Sequence, residues 1–225
     1  MPSVRKLKPV PELWTIFQKL FRAYGPQHWW PAESPLEVVI GAVLTQNTAW
    51  QNVERAMANL KHARLLNLDL LCRTPAGRIV ELIRPAGYYN IKARRLLSVL
   101  NWLKEQGGFA KLRATPTSRL RAGLLDCYGV GPETADSILL YALNRPVFVL
   151  DAYTRRILTR YGLIQGDEPY EELRLWIEES LAPFLKKDPR ATVRVFNEFH
   201  ALFVRLAKTH CRSLPRCPGC PLNSR

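Results

Sequence analysis

The sequence predicts an all-α protein. Helix start and stop signals recur along its 225 residues, strand-like alternation is almost absent, and residues 90–106 repeat apolar side chains at helical spacing. Ser34-Pro35-Leu36-Glu37 reads as a capping box with proline at the first helical position, opening EVVIGAVLTQ. Thr48-Ala49-Trp50-Gln51 repeats the device and predicts a helix through Leu60. Thr74-Pro75 starts a segment that ends near Pro85-Ala86-Gly87. Ile91, Leu96, Leu97, Leu100 and Leu103 give the next helix its apolar stripe, and Gly107-Gly108 stop it. Residues 118–127 and 132–143 flank the glycine turn Gly129-Val130-Gly131, and 151–161, 170–181 and 190–208 complete the set. The apolar run 147–150 suits a strand, but the sequence offers it no partner strand.

Charge narrows the class of partner. Lys and Arg number 33 against 19 acids, a net charge of +14, which favours a polyanion without separating DNA from RNA or an acidic membrane. No stretch approaches the roughly 20 apolar residues of a spanning helix, so membrane insertion is not expected. The start, MPSVRKLKPVPELW, has no secretory apolar core, and a cytosolic protein is expected. Of five cysteines, three lie in the last fifteen residues, a metal or cluster pattern rather than a disulfide framework.

The chemistry concentrates in residues 124–155. The turn Gly129-Val130-Gly131 can direct successive backbone N–H groups outward as a nest for a phosphate oxygen. Asp151 follows the apolar residues Val147, Phe148, Val149 and Leu150, so its carboxylate is expected to emerge from a dry wall. Locally, Asp151 reads equally well as a helix N-cap with Thr154 at N3.

Taken together, five ordered motifs resemble the endonuclease III-like helix-hairpin-helix (HhH-GPD) DNA glycosylases. They are Gly41 to Thr48 (GAVLTQNT), Gly87 to Ala93 (GYYNIKA), Gly129 to Thr134, Val149-Leu150-Asp151 and the terminal cysteines, spanning roughly Leu36 to Leu222. The resemblance implies two helical lobes: a six-helix lobe over 32–150 containing the helix-hairpin-helix, and a second lobe from 1–31 plus 151–225 ending in a cysteine loop. It implies an active site in the cleft between them, a flipped base, and a monomer acting on damaged double-stranded DNA at the nucleoid. Asp151 becomes the catalytic acid, and Gln46 the residue that fills the gap left by the flipped nucleotide, unless its amide is merely solvated. The resemblance gives Asn47, Gly129, Val130, Gly131 and Thr134 to DNA contact. Lys92, Arg94 and Arg95 either track the backbone or form a solvated helix face, and Tyr88 and Tyr89 are expected to pack between lobes.

Two departures set the subclass. Bifunctional members carry a lysine after the hairpin that forms a Schiff base with the sugar; here Glu133 stands there, and a carboxylate cannot form an imine. Glu133 also suits the first turn of a helix electrostatically. A monofunctional enzyme that uses water is therefore expected. Trp29-Trp30-Pro31 together with Trp50 resembles the bacterial 3-methyladenine branch, and gives the base pocket as Trp29, Trp30, Pro31 and Trp50. A tryptophan also buries well in any helical core. A cationic alkylated purine over an aromatic face gains roughly 0.5–2 kcal/mol. That is at most about thirtyfold, against ~10⁶–10⁹ competing sites, so leaving-group quality and ease of unstacking must supply most of the selectivity.

Cys211, Cys217 and Cys220 resemble the family's iron–sulfur loop and are candidate ligands of a [4Fe-4S] cluster, which the chemistry does not require. The fourth cysteine of that pattern would fall just past Arg225; the options are a sequence that stops one residue short, a non-cysteine fourth ligand, a loop that has lost its cluster, or a zinc site with His210, which its adjacency to Cys211 disfavours. Cys72 and Cys127 read as small buried residues. The alternative functions are a glycosylase for oxidised or mismatched bases, a non-catalytic helix-hairpin-helix DNA-binding protein and, more distantly, a basic RNA-binding protein.

Overall fold

The structure, a computed structural model, describes residues 7–185 and 188–223, so both ends of the expected terminal lobe fall partly outside it. Among the described residues there is no strand. The helices are α1 (Glu12–Tyr24), α2 (Pro35–Leu44), α3 (Trp50–His62), α4 (Leu68–Arg73), α5 (Ala76–Ile83) and α6 (Tyr89–Glu105). They continue with α7 (Gly108–Leu112), α8 (Thr117–Leu125), α9 (Pro132–Ser137), α10 (Ala152–Tyr161), α11 (Tyr170–Leu181) and α12 (Pro189–Thr209). None is long and apolar enough to cross a membrane.

Two compact units are present. One gathers the described residues of Met1–Trp29 and Pro146–Arg225; the other is Trp30–Arg145. In the second, α2 is the buried axis: every residue from Leu36 to Leu44 is buried, and the helix packs on α3 and α6. A helix apolar all round belongs in a core. Its start follows the sequence, with Ser34 Oγ accepting the Glu37 N–H at 3.3 Å. The return half of the box goes one residue astray, since the Glu37 carboxylate meets the Glu33 N–H at 3.5 Å.

The second predicted box does not form. Ala49 caps α3 without a side-chain bond, and Thr48 Oγ1 instead accepts the Asn52 amide at 3.4 Å. Three helices carry no early signal strong enough to foresee: α1, α4 and α7. Asn67 does cap α4, through the Leu70 N–H at 3.1 Å. After α9 the chain widens to a π turn over Ile138–Ala142, closed by Leu143 N–H to the Ile138 carbonyl at 3.1 Å.

A buried ion pair fixes the two hairpin helices to each other. Arg121 on α8 meets Asp136 on α9 through Nε–Oδ1 at 2.6 Å and Nη2–Oδ2 at 3.2 Å, with the Asp136 side chain fully buried. In the other unit, α12 supplies the aromatic core. Phe199 stacks on Phe203 at 4.4 Å and meets Phe148 and Phe17 edge-on. The run 147–150 is buried and extended, not a strand. Side chains satisfy it in place of a ladder: Phe148 N–H donates to Glu178 at 2.8 Å and Leu150 N–H to the Tyr170 hydroxyl at 3.4 Å.

Candidate active site

The dry run 147–150 delivers Asp151 to the start of α10. One carboxylate oxygen caps the helix, accepting the Thr154 N–H at 2.7 Å. The other lies 3.5 Å from His200 Nε2 on α12, with only 13% of the Asp151 side chain and 7% of the His200 side chain exposed. The cap reading and the catalytic reading therefore coexist, because the two oxygens are used separately. Burial, the largest influence, pushes the Asp151 carboxyl upward, but the His200 imidazole and the Thr154 N–H together outweigh it. They hold the carboxyl below its ordinary value. The group is ionised at neutral pH while nearly dry, the condition in which a carboxylate acts most strongly on a developing positive charge.

Sequence reasoning missed His200. A single histidine in an amphipathic helix carries no local mark, and only packing of α10 on α12 brings it to Asp151. Because the folded-state carboxyl is depressed, its ionised form persists through the ordinary carboxylate range and is lost only below it. His200→Gln removes the imidazole, so the acid limb of a base-release pH profile is expected to move upward. An unmoved acid limb would detach His200 from Asp151.

In the unit Trp30–Arg145, the hairpin lies between α8 and α9. Gly129 has φ +74°, a left-handed conformation that glycine adopts freely. Gly129 and Gly131 are exposed, and no protein acceptor takes their N–H groups among the described residues. Val130 corrects the expectation of three outward amides: its N–H closes the turn onto the Cys127 carbonyl at 3.1 Å and its side chain is buried. Thr134 is also buried, its hydroxyl accepting the Gln46 amide at 3.0 Å. Gln46 further donates to the Gly129 carbonyl at 3.2 Å and accepts from Arg95 at 2.6 Å. Asn47 is exposed with φ +52°, and Glu133 is exposed in the first turn of α9.

Lys92 is the clearest correction. It is buried, not at a DNA surface, and its ammonium donates to the Leu44 and Ala86 carbonyls at 2.8 Å each. Burial, aided by the nearby Arg95 charge, pulls its pKa down to about 8. It ties the end of α2 to the turn before α6. Arg94 is the exposed member of that basic run and lies over the Tyr128 ring at 4.8 Å. Tyr88, expected to pack, is 72% exposed.

Trp30, Pro31 and Trp50 line one pocket of about 250 Å³, together with Glu37 and Glu54. Trp30 meets Trp50 edge-on at 5.3 Å and Tyr141, from the π turn, at 5.1 Å. Gly41 lets the indole lie against α2, since a Cβ there would stand 3.2 Å from Trp30 Cζ2. Trp29 does not line this pocket; its ring faces the Lys208 ammonium at 6.0 Å.

Cys211, Cys217 and Cys220 open onto a pocket of about 340 Å³ beside α10 and α12. Arg156 donates twice to the Cys211 carbonyl, at 2.9 and 2.7 Å, and Arg160 reaches the Cys211 sulfur at 3.5 Å. Three thiols on one pocket suit a cluster in donor type. Among the described residues no three Cys, His, Asp or Glu side chains form a group able to hold a metal ion. His210 Nδ1 is engaged with the Arg216 carbonyl at 3.0 Å. Cys127 is buried, and that burial pushes its thiol up to about 11.

Residues 40–183 match the family model described as HhH-GPD superfamily base excision DNA repair protein. The chain is 45% identical to the "Putative DNA repair glycosylase MJ1434" of Methanocaldococcus jannaschii, covering 93% of each. It is similar in structure to the 3-methyladenine DNA glycosylase MagIII of H. pylori bound to 1,N6-ethenoadenine. That match has 30% identity and a TM-score of 0.75, over 88% of this chain and 96% of that one. An endonuclease III–DNA complex shares the fold, with a TM-score of 0.73 at 20% identity over 94% of this chain and 92% of that one.

Proposed function

The chain belongs to the HhH-GPD superfamily of base excision DNA repair proteins and is a DNA glycosylase, and on that footing we propose that it is a monofunctional N-glycosylase for alkylated purines such as 3-methyladenine. It acts as a monomer in the cytosol on duplex DNA carrying damaged bases. The observation that carries the reading is the nearly dry Asp151 carboxylate at the start of α10, one oxygen capping the helix and the other facing His200.

As the N–C1′ bond lengthens, positive charge builds on the sugar, as in glycoside hydrolysis. Asp151 stabilises that charge and orients or deprotonates the incoming water. An alkylated purine is already cationic and leaves readily, so the protein need not supply a strong acid to it. Trp30 and Trp50 offer it aromatic faces, and Glu37 and Glu54 line the same pocket with carboxylates. The likeness to MagIII supports this choice of base. Glu133 at the first turn of α9 supports hydrolysis by water, since it cannot form an imine.

Duplexes carrying a methylated purine, an oxidised pyrimidine or a mismatch, assayed separately for free base and for strand breakage, test the reading. Free methylated purine from the first duplex is expected, with the other two left intact. Release of the oxidised pyrimidine in its place would overturn it.

The terminal loop carries a second element of the proposal: Cys211, Cys217 and Cys220, which line one pocket, would supply three of the four ligands of a [4Fe-4S] cluster that takes no part in base release. Iron and sulfide bound to the purified protein, lost in Cys217→Ser, are the expected result. Iron-free protein with three titratable thiols would contradict it.

A further inference from the structure

We infer that Arg95, acting through the Gln46 amide, is the positioning residue that sets which hairpin amides face a phosphate; the inference rests on the hairpin being the phosphate grip of the glycosylase proposed above. The peptide group between Gly129 and Val130 is planar, so fixing its two ends fixes the whole plate. Its N–H is held by the Cys127 carbonyl at 3.1 Å, and its C=O by Gln46 Nε2 at 3.2 Å. With that plate turned inward, the N–H groups on either side, those of Gly129 and Gly131, are left for a ligand.

An amide side chain could sit in the same place flipped, with its oxygen against the Gly129 carbonyl. Arg95 forbids that. A guanidinium only donates, and its Nη1 lies 2.6 Å from the Gln46 oxygen, so Nε2 must face the hairpin. Nε2 also reaches Thr134 Oγ1 at 3.0 Å, which ties the turn to the first turn of α9. The Arg95 stem lies directly against the turn: a Cβ on Gly129 would stand 2.5 Å from Arg95 Cγ and Nε. Gln46 is then a brace in the free protein, and Arg95 selects its orientation.

A double-variant cycle tests this. Affinities of wild type, Arg95→Met, Gln46→Met and the double variant are measured for an undamaged duplex and for the same duplex bearing a tetrahydrofuran abasic analogue. Phosphate contacts carry no sequence information, so each single variant is expected to weaken both duplexes by the same factor, about tenfold. The double variant should be no weaker than either single one, because both remove one linkage. Additive losses would overturn the inference, leaving Arg95 as an independent positive charge. Selective loss on the abasic duplex in Gln46→Met would overturn it too, making Gln46 a gap-filling wedge. If Arg95→Met does not fold, Arg95→Gln takes its place in the cycle and the same additivity criterion applies. Failure of the glycosylase reading would show instead in wild-type base release, which this cycle does not measure.

Discussion

Asp151→Asn is expected to slow base release by about 10³–10⁴-fold while leaving duplex affinity and thermal stability nearly unchanged. The substitution separates the two tasks of one side chain. Asparagine keeps an oxygen for the Thr154 N–H, now 2.7 Å from Oδ1, and is as good an N-cap as aspartate. What it loses is the negative charge beside His200. Single-turnover release measured alongside binding to an abasic-analogue duplex checks the split. Activity within a few fold of wild type would reduce Asp151 to a cap and remove the mechanism.

The second large effect is on stability. Asp136→Asn removes the charge that a partly buried Arg121 approaches at 2.6 Å, inside the joint between α8 and α9. Breaking a buried pair from one side costs about 3–5 kcal/mol, because the desolvation cost of the remaining charge is no longer offset by this pair. For a chain of this size that is a fall in melting temperature of roughly 6–20 °C. Replacing both partners with apolar residues should recover part of the loss, since the desolvation cost of both charges goes with them. Calorimetry on the single and double variants reads both. A single variant as stable as wild type would show that the pair does not hold the hairpin together.

How much of this was legible in the sequence follows from where each signal lives. The hairpin glycines and Asp151 are marked by residue type and by spacing along one stretch, so local reading finds them. The helical class was legible for the same reason: caps, prolines and paired glycines act within a few residues. Lys92 was misread because a lysine in a basic run looks solvated. The two carbonyls that receive it, at Leu44 and Ala86, become acceptors only when α2 ends beside the turn before α6. His200 and Tyr141 were missed on the same grounds, their partners Asp151 and Trp30 lying far away along the chain. Val130 was misassigned because a glycine turn shows that amides can turn outward without showing which one closes the turn.

The most direct test is a single-turnover reaction on a duplex carrying one 3-methyladenine, with products resolved before and after alkali. The predicted result is free methylated base at once and a strand cut only after alkali. Intact base, or a cut strand without alkali, would contradict hydrolysis by an Asp151-directed water.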